Sequence, residues 1–337
     1  MLKGIITGLL AVALLSAPAF AADEATMRKA KKEGKVTWYS SITLNIAQHI
    51  CNNFNKKKMG VQCVLHRDGS GKLYRRYLQE RKGGIYVADV VHTSNLGHFL
   101  NLKAKKIITP YKPAGTDNFN PKFVTKDNYW TILRAGVLMP FYNTKKISAK
   151  DAPKTYADFL DPKWKGKIVH SHPSYSGFVT NGMINIVNKF GWDYYKKMAK
   201  QKPKIVQSAA GGIPLVARGE AWLGAGTTSY SLLKLIQKGE PLKPIVPPAG
   251  LALVTSPNGV FTKAPNPNAA RVFTDYLFSM ETMQLLADYF LYVGNPDVKY
   301  PKALPPLNKI NLMAIGGAEL KKKNKPTRKM FKKLFGV

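Results

Sequence analysis

The densest run of small and hydroxylated side chains is Gly224-Ala225-Gly226-Thr227-Thr228-Ser229-Tyr230-Ser231, set between Ala221-Trp222-Leu223 and an apolar-periodic stretch over 232–236. That order predicts a strand end feeding a helix N-terminus, where free N–H groups and hydroxyls face a bound anion or polar ligand. An ordinary capping loop would use the same residue types. The ligand reading is favoured because similar turns recur at other expected strand ends: Ser40-Ser41, Gly69-Ser70-Gly71, Thr93-Ser94, Ser174-Tyr175-Ser176-Gly177 and Gly211-Gly212.

Those turns need strands and helices to hold them. Strands are expected over 35–39, 61–65 and 88–91, with helices over 44–57 and 72–82 between them, which is the alternation of an α/β domain with a mainly parallel sheet. Ligands in such sheets sit off the carboxyl ends of the strands. The extended run 133–144 is suited to crossing into a second lobe. Further strands are expected there over 167–170, 204–207 and 222–225, with helices near 178, over 192–201 and from 211. Residues 244–248 read as a return hinge, followed by strands over 251–254 and 259–261. The expected division is residues 22–134 with 248–337 as one lobe and 135–247 as the other.

Composition frames these elements. The chain has 337 residues, 45% of them hydrophobic, enough for two ordinary domains. Its 52 Lys and Arg against 19 Asp and Glu give a net charge of +33, which raises nucleic acid as a partner. The N-terminus argues otherwise. Residues 1–21 combine Lys3, an apolar centre and Ala19-Phe20-Ala21, the pattern of a cleavable secretory signal. An exported, periplasmic protein is therefore expected, with its charge turned to an anionic surface rather than to nucleic acid. Cys51 and Cys63, twelve positions apart, fit either adjacent buried thiols or a disulfide; the oxidising compartment favours the bridge. Gly69-Ser70-Gly71-Lys72 is not a nucleotide loop, since His66 stands where the first glycine belongs and no Ser or Thr follows Lys72.

Gly34-Lys35-Val36-Thr37-Trp38-Tyr39-Ser40-Ser41, Ala88-Asp89-Val90-Val91, Tyr142-Asn143-Thr144, Asp161-Pro162-Lys163-Trp164-Lys165-Gly166-Lys167-Ile168, Ala217-Arg218-Gly219-Glu220-Ala221-Trp222-Leu223-Gly224 and Ala264-Pro265-Asn266-Pro267-Asn268-Ala269-Ala270 together resemble the periplasmic substrate-binding proteins of ABC transporters. Among these the chain is most similar to the ferric-iron-type branch, over nearly its whole length to about Pro296. The resemblance implies a type II two-lobed α/β fold, capture of a small solute in the cleft and delivery to a membrane permease; a monomer without cofactor is expected.

Iron binders of this branch carry adjacent tyrosines at the position matching Ser229-Tyr230, so one phenolate of the pair is missing here. Tyr194-Tyr195 sits mid-helix at packing spacing. His170 and His172 alternate on a strand with no third ligand in view, and no metal site is expected. Arg134 lies near where the iron-type proteins have an anion-contacting arginine; Arg67 could pair with an acidic ligand or lie on the rim. Trp130, Tyr175 and Tyr230 could stack on a ligand. The expectation is an anion or strongly polar organic solute held chiefly by neutral donors: Ser40, Ser41, Ser70, Gly71 and Thr93 from one lobe, Ser176, Gly177, Gly211, Thr227 and Thr228 from the other. Ferric iron with a synergistic anion is the alternative. An exported hydrolase is the rival from another class, but no Gly-x-Ser-x-Gly elbow or His-Glu-x-x-His run occurs. The basic segment 319–337, with eight Lys or Arg, reads as a terminal helix packed by its apolar side, although such a helix could also lie on anionic lipid.

Overall fold

The first strand shows why the sheet is central: in Lys35–Ser40 (β1) every residue after Lys35 is buried, as expected of a parallel strand covered on both faces. A computed structural model describes residues 23–337; the expected signal segment 1–21 lies outside the described residues. Glu24–Glu33 (α1) precedes β1, with Asp23 capping it through Thr26 N at 2.7 Å. Then follow Leu44–Lys56 (α2), Gln62–Arg67 (β2), Ser70–Lys82 (α3), Val90–His92 (β3), Leu96–Ala104 (α4), Ile108–Thr109 (β4), Thr131–Asn143 (β5), Ile168–Ser171 (β6), Gly177–Lys200 (α5), Lys204–Val206 (β7), Gly212–Ala217 (α6), Leu223–Thr228 (β8), Ser229–Gln237 (α7), Leu242–Pro244 (β9), Leu251–Phe261 (β10), Pro267–Leu277 (α8), Met280–Asp288 (α9), Leu312–Met313 (β11) and Gly317–Phe335 (α10).

The strands run in the order β2-β1-β3-β10-β5-β8-β6-β7. The outer strands on each side are parallel, β1 with β2 and β3, β6 with β7 and β8. The two sides are joined by β5 and β10, which are antiparallel to each other from Leu138↔Ala252 to Thr131↔Asn258. The extended run expected to cross between lobes is β5, buried at all thirteen positions. The two short strands expected over 251–261 are one strand. Its polar middle, Thr255 to Asn258, reads in sequence as a break, but Ser256 is fully buried and donates to Ser94 Oγ at 3.0 Å. Pro140 and Pro257 both fall at register shifts, where a missing N–H is tolerated. The expected helix over 192–201 is the second half of α5, which turns at Gly191 with φ 71°.

α2 buries Ile46, Ala47, Ile50, Cys51 and Phe54 on one face, and Cys51 and Cys63 form a disulfide with Cα atoms 5.4 Å apart. Asp89, fully buried before β3, accepts from Thr37 N and Asn266 N at 2.7 Å each and from Asn266 Nδ2 at 3.0 Å, so it ties β1 to the start of α8. Tyr194 and Tyr195 lie in the core; Tyr195 packs on Trp192, His170 and Phe335. α10 packs against both α4 and α5. It buries Leu320, Asn324, Thr327 and Phe331, the last against His170 and His172.

Candidate functional site

A cavity of about 340 Å³ lies where strand ends from both sides of the sheet meet. Ser41, Thr43 and Leu44 follow β1, residues Arg67 to Ser70 and Lys72 join β2 to α3, and Ser94 follows β3. Opposite them stand Tyr175, Ser176 and Phe178 at the start of α5, Gln207 to Ala210 between β7 and α6, and Thr228 and Tyr230 where β8 enters α7. Arg134, near the start of β5, also lines the cavity. This is the crevice at the carboxyl ends of strands that open α/β sheets reserve for ligands.

The hydroxyls of the β1 side form a connected set. Ser70 Oγ donates to Ser41 Oγ at 3.0 Å, and Ser94 N reaches Ser41 Oγ at 3.2 Å and Ser70 Oγ at 3.3 Å. The two sides touch at the Ser94 carbonyl: the Asn181 side-chain amide Nδ2 donates to Ser94 O at 2.9 Å, and a Cβ on Gly177 would come within 2.9 Å of Ser70 Oγ and Ser94 O. A Cβ on Gly69 would lie 2.4 Å from Tyr175 O. Glycine at both positions is what lets the loops approach.

Arg134 dominates the electrostatics. Its side chain is 1% exposed, Nη2 donates to Ser94 Oγ at 3.0 Å, and the guanidinium stands 5.3 Å from the Tyr230 ring. Nε and Nη1 make no hydrogen bond among the described residues. Burial pushes the guanidinium below the usual arginine range, Tyr230 beside it opposes that shift, and Arg67 adds to it. Arg67 and Lys72 are exposed at the rim, and Asp68 is the one carboxylate in the lining, 3.7 Å from Lys72 Nζ. Arg67 Nε donates to Ile42 O at 3.0 Å. A buried cation with idle donors costs free energy unless an anion meets it. Thr228 Oγ1 is a further buried polar atom without a partner here.

Of the residues singled out in sequence, the structure brings Ser41, Arg67, Ser70, Arg134, Tyr175, Ser176, Thr228 and Tyr230 to this cavity. It places the others elsewhere. Ser40 is fully buried behind it, 3.1 Å from His92 Nδ1, and Thr93 is buried beside it. Trp130 packs on Phe99 in the core. Gly71 faces an outer groove, Gly177 sits at the contact just described, Gly211 lies against Ser208, and Thr227 Oγ1 donates to Ala209 O at 2.8 Å. The expected ligand contacts leave out Thr43, Asp68, Lys72 and the 207–210 loop, and Ser94, although its turn is among the expected strand ends. Ser94 belongs to the Thr93-Ser94 turn and Ser208 directly follows the strand expected over 204–207, so the strand-end rule reaches both.

Ser40 and His92 form the hydroxyl–imidazole pair of a nucleophilic dyad, yet both are fully buried and outside the cavity lining. Burial, reinforced by Arg134, holds His92 well below the ordinary histidine range, so it is neutral. Among the described residues no group of three or more His, Cys, Asp or Glu is placed to hold a metal ion. His170 is buried against Phe331 and Phe335.

Two lobes bridged by long strands, with a polar cavity at their meeting edge, define a receptor for a small solute. Residues 87–323 match the family model of the bacterial extracellular solute-binding proteins, and the chain belongs to that family. It is 24% identical over 319 residues to the major ferric iron-binding protein of Neisseria gonorrhoeae, covering 87% of this chain and 91% of that one. It is 27% identical over 286 residues to an uncharacterized protein of Haemophilus influenzae, covering 80% of each. Among solved structures, the periplasmic binding protein AfuA from Actinobacillus pleuropneumoniae with fructose-6-phosphate bound superposes with a TM-score of 0.80 at 21% identity, over 90% of this chain and 99% of that one. Iron-bound HitA from Pseudomonas aeruginosa superposes with a TM-score of 0.76 at 21% identity, over 88% and 99%.

Proposed function

We propose that this solute-binding protein works in the periplasm, captures a small organic solute bearing a compact oxyanion such as a phosphate ester, and hands it to the permease of an ABC importer. The observation that carries the reading is Arg134: a buried guanidinium, two of its nitrogens unbonded, in a cavity ringed by Arg67, Lys72 and hydroxyls with a single carboxylate. A guanidinium fork suits planar or tetrahedral oxyanions better than it suits a neutral solute. Residues 22–134 with 248–337 form one lobe in this reading and 135–247 the other, so the ligand is gripped from both. The fructose-6-phosphate bound by AfuA is a solute of this chemical class. No catalytic role is assigned to the cleft.

The test is mass spectrometry of the ligand released from protein purified without refolding, followed by calorimetry with fructose-6-phosphate and fructose. Binding of the phosphate but not of the neutral sugar is expected; equal binding of both would refute an oxyanion site.

One observation favours a second reading. Tyr175 and Tyr230 line the same cavity, and two phenolates with an anion on Arg134 would make a ferric site. Against it, Ser229 is fully buried, its Oγ accepting from Val137 N at 3.3 Å, so the position beside Tyr230 supplies no phenolate. Adding ferric citrate and recording the visible spectrum separates the readings. A phenolate-to-iron band that disappears in Tyr230→Phe would establish iron.

A further inference from the structure

Outside the cleft, behind the loop that carries Tyr175, a groove of about 920 Å³ runs between α3, α4 and α10. Six cations line it, Arg75, Lys321, Lys325, Arg328, Lys329 and Lys332, and no aspartate or glutamate does. None of the six is ion-paired to a carboxylate among the described residues. Six of the chain's 52 Lys and Arg are thus gathered in one concave place: five follow one face of α10 at helical spacing, and Arg75 faces them from α3.

Two of these cations converge. Arg328 Nη1, Arg75 Nη1 and the Ser174 carbonyl oxygen lie 3.5, 3.6 and 3.6 Å from the point that a Cβ on Gly71 would occupy, in the first turn of the thirteen-residue helix α3. The rest of the Arg328 fork is held in place: Nε donates to Asn324 O at 3.3 Å and Nη2 to Asn324 Oδ1, which leaves Nη1 facing Arg75. Burial, then the charge of Arg75, keeps Arg328 below the ordinary arginine range. Like charges held side by side at a helix N-terminus repel unless an anion lies between them.

His98 adds a fixed polar group to the same wall. His98 lines the groove, is 7% exposed, and its Nδ1 makes no hydrogen bond among the described residues. Its ring is fixed by stacking on Tyr74, with centroids 4.2 Å apart. Close packing also fixes the walls, since a Cβ on Gly97 would reach Lys321 N at 3.0 Å and one on Gly317 would reach Leu100 Cδ1 at 2.9 Å. The groove is a built concavity.

We propose that this groove is a second binding site, separate from the cleft, for a small free polyvalent oxyanion of the phosphate or pyrophosphate class, held between Arg75, Arg328 and the first turn of α3. Ser174 and Tyr175 close one end, so an occupant there lies against the loop that also walls the cleft. The inference does not depend on what the cleft binds.

The experiment is calorimetry with pyrophosphate at low salt on the whole protein. Arg134→Met is used as the background to silence the cleft, and Arg75→Gln, Arg328→Gln and the double variant are made in it. Binding of one equivalent is expected in the background, weakened at least about tenfold by either substitution, because each removes a charge-assisted contact. Arg75 is exposed, so its variant tests the site even if the Arg328 variant fails to fold. Undiminished binding in the Arg75 variant overturns the proposal. So does loss of all pyrophosphate binding in Arg134→Met alone, which would put the anion in the cleft. Phosphatidylglycerol vesicles form the remaining arm: capture that needs Arg75 and Arg328 with no pyrophosphate binding would make the groove a lipid-surface contact and overturn it equally. Wild-type protein binding one equivalent, indifferent to Arg134→Met, would uphold the groove and count against the cleft reading.

Discussion

Replacing Arg134 by methionine should weaken ligand binding while leaving the empty protein at least as stable. The side chain is 1% exposed and spends one hydrogen bond on Ser94 Oγ, so Nε and Nη1 are the donors left for a ligand. A hydrogen bond to a charged group contributes about 1.5 to 3 kcal/mol, so two lost bonds amount to about 3 to 6 kcal/mol, or roughly two to four powers of ten in Kd. Removing a buried cation that lacks a counter-ion works in the opposite direction on the ligand-free fold. Methionine fills much of the same volume, and the Ser94 bond and the contact with the Tyr230 ring are what is lost in exchange. Calorimetry with the solute identified by mass spectrometry, alongside urea unfolding of ligand-free protein, reads both signs. Arg134→Lys should recover part of the affinity, since it keeps the charge and not the fork. A methionine variant that binds normally but unfolds at markedly lower urea would make Arg134 a structural residue and refute the argument.

Removing the Thr228 hydroxyl, buried and without a partner, should weaken binding about tenfold or more, whereas Tyr195→Phe, deep in the core of α5, should leave affinity unchanged; the reverse pattern would return the site to α5. The fold should weaken in acid. His92, His98 and His170 are buried and neutral, with burial holding His98 down to about 3 and His170 down to about 4 against an ordinary value of 6.5. The unfolded chain takes up these protons first, so the stability is fully present above pH 6.5 and is lost as pH falls below it; from pH 7 to 5 the loss is about 2 kcal/mol for each of His98 and His170, with His92 adding in the same direction, measurable as a urea midpoint. A midpoint indifferent to pH over that range would contradict neutral burial. Reducing the Cys51–Cys63 bridge, which closes a short loop, should cost about 2 to 3 kcal/mol, seen as a lower melting temperature with dithiothreitol in wild type but not in Cys51→Ala/Cys63→Ala.

The local elements were legible because each rests on nearest neighbours along the chain. Apolar periodicity fixes α2, β-branched runs fix β1 and β3, and the step from Thr227-Thr228 to Ser229 marks the helix start of α7. The rule that ligands sit at strand ends and the helix starts after them then brought hydroxyls such as Ser41, Ser70, Ser176 and Thr228 to the cleft, since where an element ends is set locally. It could not sort Ser41 from Ser40 or Thr228 from Thr227. Adjacent residues on a strand point to opposite faces, and which face looks into the cleft depends on a partner far away in sequence. For Ser40 that partner is His92, and for Thr227 it is the Ala209 carbonyl. The charge of the site was likewise settled by packing. The family resemblance picks out Arg134 among 52 basic residues as an anion contact, but nothing in the sequence shows that it is closed off from solvent with two of its nitrogens unbonded, nor that Arg75 and Arg328, more than two hundred positions apart, meet at the first turn of α3. Burial and the lack of a carboxylate partner among the described residues set Arg134 apart from the other basic residues, and both are properties of the folded chain alone.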